Sequence, residues 1–549
     1  MEQDSKDADG VDINVPYPKG RRLCQILAAI GLVTFLIMLD ASILATAIPF
    51  ITNDYHALLD VGWYGSSYQL ASASFQPFTG KLYANLPLKW TYLVFFLVFE
   101  LGSLLCALST SSKMFIVARA IAGLGSSGLL NGGLTMISEF LPKDKAPGII
   151  GALMSVTQLG LACGPIIGGA FTQKVSWRWC FWLNLPVGGV VLLLILFIHM
   201  PDRTIKPKGK ELRRALRDSL DVVGFVLFAP SMIMLFLALQ YGGNEYPWGS
   251  ATVIGLFCGF AAMLAVCLLW EYRRGDMAML PLPIITQRIV WSSCLSSFFM
   301  TGAAVSGAYY LPIFFQAVKG NSPIRSGVYF LPNILPQVTL ALVTGGLVQK
   351  TGYYLPSVVA GSALAALGYG LLSMITPTYS IANRIGFQVL VGLGLGSCNS
   401  VPMMAVQKII APAQMSIAMA VLVFCLNMGA SLFLQLSTVI FSQGLLAALP
   451  KYAPGVDPKV ILTSGATHFR EVIPHDAIAG VLLAYSESIR QVFYFLAGLS
   501  VAGFTVSCFM GWKPFNTEKS VAKDPELALE NTTGDPDLAL ENTTGAPKL

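Results

Sequence analysis

Fourteen apolar runs of about 20 residues recur between Leu23 and Trp512. Each is long enough to cross a hydrocarbon core about 30 Å thick. The first is Leu23–Phe50, the sixth Trp179–His199, the seventh and eighth Leu220–Tyr241 and Ala251–Glu271, and the last Val492–Trp512. Only 12% of the residues are charged, against about 25% in soluble domains. Such a chain has too little charge to cover a water-facing surface. The fold class that follows is an all-α membrane protein. Most runs are apolar on every side and rich in Gly, Ala and Ser, as expected where helices pack closely in lipid.

The polar segments give orientation. With the amino terminus in the cytoplasm, the inner segments hold most of the 35 Lys and Arg residues, which is the bias that sets topology. Seven of them fall between Arg203 and Arg217, in a stretch read as a solvated linker and inner anchor. The net charge of +6 therefore belongs to short loops and does not indicate nucleic acid. The first 22 residues are polar, and the run after Leu23 is too long for a cleaved signal. Almost all of the ten cysteines lie within apolar runs and read as packing residues, neither a disulfide framework nor a metal site. No cofactor is expected.

Charges inside the apolar runs are the chemical signal. An ionisable group near the bilayer centre costs at least about 2.5–3.5 kcal/mol, so a chain that keeps one usually uses it. Asp40 in the first run and Arg119 in the fourth fall at comparable depth and would pair if those helices are neighbours. A carboxylate beside an Arg and facing a cavity can exchange protons; the alternative is an ion pair that only holds two helices together. Glu100, in the third run, is expected to make a helix-to-helix hydrogen bond or to carry a proton. Glu139 is expected in a gate or loop network at the inner end of the fourth run. In "GLACGPIIGGA", Gly160, Gly164 and Gly168 recur every four residues, with Pro165 and Gly169 beside them. That spacing puts small residues on one helix face, and Pro165 bends the helix. A bend beside a smooth face suits a pivot between two rocking halves.

Several segments, in order, resemble one family. "GPIIGG" is similar to the antiporter motif of the drug-export branches of the major facilitator superfamily. "ARAIAGLGSSG" resembles that superfamily's fourth-span motif, with Arg119, Gly123 and Gly125 matching its core. "LDASILATAIP", "WRWCFWLNLPVGG" and "LALQYGGNEYPWGS" resemble the first, sixth and seventh spans of its 14-span drug:proton antiporter family, in the form found in fungal toxin and multidrug efflux pumps. The resemblance implies the major facilitator fold, with two six-helix bundles plus two linker spans around a central cavity. It also implies proton-driven export by alternating access, with Asp40 and Arg119 in the coupling network. One segment departs from the pattern: in "GKLYANLPLKW", Ala84 stands where the family's inner-gate Asp belongs. The echo of this loop in the second half, "GGLVQKTGYY", keeps its glycines.

The organisation expected is a cytoplasmic tail (1–22), a first bundle (23–200), a basic linker (201–219), two extra spans (220–271) and a second bundle (272–512) with an outer loop at 444–490 that holds a short amphipathic helix near 472–485. A disordered cytoplasmic tail (513–549) closes the chain, repeating "DPELALENTTG" as "DPDLALENTTG"; sequons at Asn531 and Asn542 would stay unmodified there. The functional expectation is a proton-coupled exporter of lipophilic organic molecules in a fungal plasma membrane, with the vacuolar membrane as the alternative. Candidate cavity residues are Gln69, Gln158, Tyr309, Tyr310, Phe314 and Asn427. Uptake of a metal chelate or basic amino acid is the rival within transport. A membrane-embedded enzyme or a non-transporting sensor is the rival outside it, and the scattered histidines (His56, His199, His468, His475) offer no catalytic cluster for the former.

Overall fold

A computed structural model describes residues 17–512 apart from positions 56–60, 143–144, 199, 201, 203–205, 220, 244–245, 276–277, 279–281, 376–380, 412–413, 458–472 and 475–476. The four histidines, both sequons and the repeated carboxyl-terminal segment lie outside the described residues.

In hydrocarbon every backbone N–H and C=O must be satisfied within its own segment, so each apolar run becomes a helix. The first bundle comprises α1 (Gly20–Tyr55), α2 (Val61–Asn85), α3 (Leu88–Leu108), α4 (Ser112–Phe140), α5 (Ala146–Lys174) and a broken sixth span, α6 (Trp179–Trp182) and α7 (Asn184–Phe197). The break at Leu183 precedes Pro186, which brings no N–H for the Trp182 carbonyl. The amphipathic α8 (Gly209–Ser219) follows, then the two extra spans α9 (Val222–Tyr241) and α10 (Ala251–Arg274). Past the short α11 (Leu282–Ile285), the second bundle holds α12 (Arg288–Ile313), α13 (Pro323–Thr351), α14 (Leu355–Leu372), α15 (Ile381–Ile409), α16 (Met415–Tyr452) and α17 (Ile478–Ser507). Ser111, Asp221, Ser250 and Ser322 cap the starts of α4, α9, α10 and α13 through their side-chain oxygens.

Thirteen helical stretches among the described residues are long and apolar enough to cross a membrane, with α6 and α7 counted as one. The more polar α2, enclosed by α4, α9 and α16, is the fourteenth. One sequence boundary moves. α16 runs on to Tyr452 and α17 begins at Ile478, so the connection between them is much shorter than 444–490, and the helix expected near 472–485 is the first part of α17. An alternation of apolar and polar residues there reads as an amphipathic surface helix when its buried partner, the end of α16, is not in view.

An even number of spans returns α17 to the face where α1 begins, here termed the terminal face. In that half of the molecule the two bundles share one apolar core, joining Ile30, Phe96 and Ile150 to Val290, Val358, Met404 and Met419. In the opposite half the bundles keep separate cores, one around Ile43, Phe115 and Phe181 and the other around Tyr310, Tyr369 and Tyr485. The bundles are thus joined at the terminal face and have parted cores beyond it. Span α9 covers one seam between them, with Phe225 against Phe75 and Phe78 of α2 and Phe228 against Phe424 of α16.

Candidate functional site

The structure brings Asp40 and Arg119 together. Arg119 Nη1 donates to Asp40 Oδ2 at 2.6 Å, with both residues 1% exposed. The pair lies at the level where Ile37 ends the α1 part of the shared core and Ile43 begins the opposite one. The guanidinium is held from three further directions. Its Nε donates to the Tyr64 carbonyl at 3.2 Å, and its carbon lies 4.5 Å from the Tyr68 ring centroid and 5.9 Å from that of Phe181. On the far side of the carboxylate, Asn184 Nδ2 donates to Asp40 Oδ1 at 3.3 Å and to Ser103 Oγ at 3.1 Å. Glu100 stands one turn from Ser103, its carboxyl against Gly188. Neither of its buried oxygens has a hydrogen-bond partner among the described residues, so the helix-to-helix hydrogen bond expected of it is not made. Small residues make this crowding feasible: a Cβ at Gly188 would run into the Glu100 carboxyl, and one at Gly123 into the Tyr68 backbone.

The glycine face of α5 serves a different purpose from the one its spacing implied. Gly160 packs on Phe35, Met38 and Leu39 of α1, and Gly164 on Ser42 and Ile43, so this face lies inside the first bundle. Gly168 and Gly169 offer their carbonyls to Thr172 Oγ1 at 2.7 and 3.2 Å, and Pro165 lies within the helix. The smooth surface between the halves lies elsewhere. A Cβ at Gly345 would come within 2.8 Å of the Pro147 carbonyl and 3.3 Å of the Gly148 and Gly151 Cα atoms. A Cβ at Gly80 would meet Ala420 Cβ at 2.7 Å and the Ser416 carbonyl at 3.0 Å. The glycines of the two echoed loop segments therefore occupy matching places, at the α13–α5 and α2–α16 crossings. Three further hydrogen bonds join the bundles: Ser155 Oγ to the Val338 carbonyl at 3.0 Å, Gln407 Nε2 to the Leu134 carbonyl at 3.3 Å, and Asn427 Nδ2 to Gln76 Oε1 at 3.3 Å.

The cavity candidates divide. Gln69 and Gln158 are half-buried, Tyr309 is 44% exposed, and Asn427 is spent on Gln76. Tyr310 and Phe314 are corrected to interior residues of the second bundle. The Tyr310 ring lies tilted 5.5 Å from that of Phe441, and Phe314, buried, opens a π-helical turn (Phe314–Val318). Where Ala84 replaces the gate Asp, the linker supplies charge instead. Lys206 Nζ donates to the Tyr83 and Ala84 carbonyls at 2.8 and 3.2 Å, and Asp202 Oδ1 accepts from Leu88 N at 2.9 Å. Burial pushes the Asp202 carboxyl up and the Lys206 amine down, the latter opposed by Glu139 and Asp202. Glu139 is itself buried at the end of α4.

Compared with known proteins, the chain is 48% identical over 515 residues to the MFS-type transporter pigP of Monascus ruber, covering 92% of this chain and 90% of that one. The chain belongs to the major facilitator superfamily. The superfamily's sequence model matches residues 30–274. The efflux pump mlcE of Penicillium citrinum is 44% identical over 92% of this chain and 93% of its own. Among solved structures, the human organic anion transporter MFSD10 aligns with a TM-score of 0.57 over 89% of this chain and 100% of its own, at 13% identity, a likeness of fold alone. A major facilitator chain of this kind is a multi-pass membrane transporter, not an enzyme. Within it, sequence reasoning missed Asn184, Ser103 and Gln76. Asn184 had a signal, a lone amide two residues before a proline in an otherwise apolar sixth span; Ser103 and Gln76 look like many other small or polar residues in the spans.

Proposed function

We propose that the protein exports lipophilic small organic molecules, of the secondary-metabolite kind, from a fungal cell in exchange for protons. The observation that carries the reading is the buried Asp40–Arg119 pair at the level where the bundles' shared core ends. A proton on Asp40 removes the charge that holds Arg119, so proton binding and the packing of α1 against α4 are linked. The joined terminal face and the parted cores beyond it fit one end state of alternating access, opening away from the cytoplasm when the terminal face is cytoplasmic. The curated relatives named as efflux pumps support the direction of transport. The plasma membrane is the proposed site. Substrate would meet aromatic and amide groups such as Tyr309, Gln69 and Gln158, in keeping with an apolar cargo.

The test is accumulation of a panel of lipophilic fungal metabolites and dyes in cells with and without the protein, at several external pH values. Lower accumulation that disappears with a protonophore is expected. Export that persists after the proton gradient has collapsed, or an Asp40→Asn protein with unchanged pH dependence, overturns the proton-coupled reading.

A further inference from the structure

The arrangement around Asp40 has a member with no assigned role. Asn184 is fully buried, at the first position after the break in the sixth span. Its amide nitrogen serves two acceptors, Asp40 Oδ1 and Ser103 Oγ, which uses both of its N–H groups. Its carbonyl oxygen is buried with no hydrogen-bond partner among the described residues. A carboxylate accepts only, whereas a carboxylic acid also needs an acceptor for its O–H. An amide meets both needs, because a half-turn about its last bond exchanges the NH2 for the oxygen. The Ser103 hydroxyl beside it accepts from the nitrogen now and could donate to the oxygen after the turn. Arg119 can do only the first of these tasks, since it has no acceptor.

We propose that Asn184 is the positioning residue of the Asp40–Arg119 pair: its NH2 holds the carboxylate oxygen turned away from Arg119, and its unpartnered oxygen, with Ser103 as pivot, receives the O–H when a proton binds there. The proposal rests on the reading of Asp40 as the proton-carrying group. The proton comes from water on the open side and returns to water on the other; the only bond formed and then broken is the O–H of the Asp40 carboxyl. Asn184 opens the second part of the broken sixth span, directly after Leu183. The charged and titratable groups that bear electrostatically on this site are Asp40 itself, Arg119 on α4, Tyr68 on α2, Glu100 and Cys106 on α3 and Cys180 on α6.

The experiment measures export against pH for Asn184→Leu, Asn184→Ser and Ser103→Ala, with each rate normalised to the amount of protein in the membrane. Leu keeps the shape of Asn and removes donor and acceptor; Ser restores one of each. For Asn184→Leu the midpoint of the pH profile should move upward by about one unit, a tenfold change in proton concentration, because of the two hydrogen bonds lost the one to the charged carboxylate is stronger than the one to the neutral acid. Asn184→Ser should return toward the wild-type midpoint, and Ser103→Ala should shift it less but in the same direction. A lowered rate with an unmoved midpoint overturns the proposal and leaves Asn184 a packing residue. Should Asn184→Leu fail to reach the membrane, Ser103→Ala decides by the same criterion. Asp40→Asn separates the two levels. Retained pH dependence there sinks the reading of Asp40, whereas its loss, together with an unmoved midpoint in Asn184→Leu, sinks only the role of Asn184.

Discussion

Removing one charge of the buried pair should cost more stability than removing both. In Asp40→Asn the guanidinium of Arg119 keeps the Tyr64 carbonyl at 3.2 Å and the Tyr68 and Phe181 rings at 4.5 and 5.9 Å, none of which carries a charge, in a site where Arg119 is 1% exposed. Breaking a buried pair from one side typically costs about 3–5 kcal/mol, because the survivor is left uncompensated in a low dielectric. The ring contact, worth about 2 kcal/mol or more when desolvated, is already present in the wild type, so it cannot make up the difference. In the double variant Asp40→Asn, Arg119→Met no charge remains to be solvated, and replacing a whole buried pair by groups of similar volume is often neutral or stabilising. The double variant should therefore recover most of the loss while failing to couple export to protons. The assay is a double-mutant cycle on unfolding in mixed micelles, read by loss of helix signal, alongside export measured at two pH values. A single variant as stable as the double one would refute the reasoning, since it would mean that water reaches Arg119 and that the site is not the dry pair described.

The two glycine sets should respond differently. Gly345→Val, which pushes on the α5 backbone at the seam, should cost about 1–3 kcal/mol in the joined state alone and shift the equilibrium between states about 5–150-fold; faster thiol labelling of a cysteine replacing Met404 would report it, and Gly370→Ala, with nothing within 4 Å, should leave that rate unchanged. Gly164→Val should instead lower the unfolding stability by a similar about 1–3 kcal/mol, because its clash with Ser42 lies within one bundle and persists in every state. Lys206→Met should lose about 1.5–3 kcal/mol with the two carbonyl contacts, read by thermal unfolding. Because burial lowers the Lys206 amine below 10.5, the wild type gains stability as the pH rises through the lowered value, so its margin over Lys206→Met should widen toward pH 10.5.

What the sequence made legible follows from which signals are local. Run length and low charge gave the spans, since crossing hydrocarbon is a property of each segment alone. The pairing of Asp40 with Arg119 was readable because two opposite charges at matched depth have few other ways to be tolerated. The roles of Tyr310 and Phe314 were not readable, since an aromatic in an all-apolar helix carries no mark of whether it faces a cleft or a neighbouring helix. The glycines of α5 show the same limit: spacing identified a smooth face but not the helix that would lie on it. Tertiary packing chose α1, and the seam fell to Gly345 and Gly80, whose positions carry no periodic signal.

That division has a physical consequence for how one bundle could move against the other. A crossing that must open and reclose needs close approach without interlocked side chains, which backbone-to-backbone contact at Gly80, Gly151 and Gly345 provides. A crossing that must stay shut gains from side chains seated across it, and at the α1–α5 crossing Met38 and Ser42 reach into the gaps left by Gly160 and Gly164, beside the Phe35, Leu39 and Ile43 backbone. On the alternating-access reading proposed above, helix α5 has a firm attachment next to Asp40 and a releasable one, near its start, to the second bundle. A shift of α1 caused by loss of the Asp40 charge would be carried by α5 as a rigid body to the seam at Gly148 and Gly345, because packed interfaces slip between discrete arrangements more readily than helices bend.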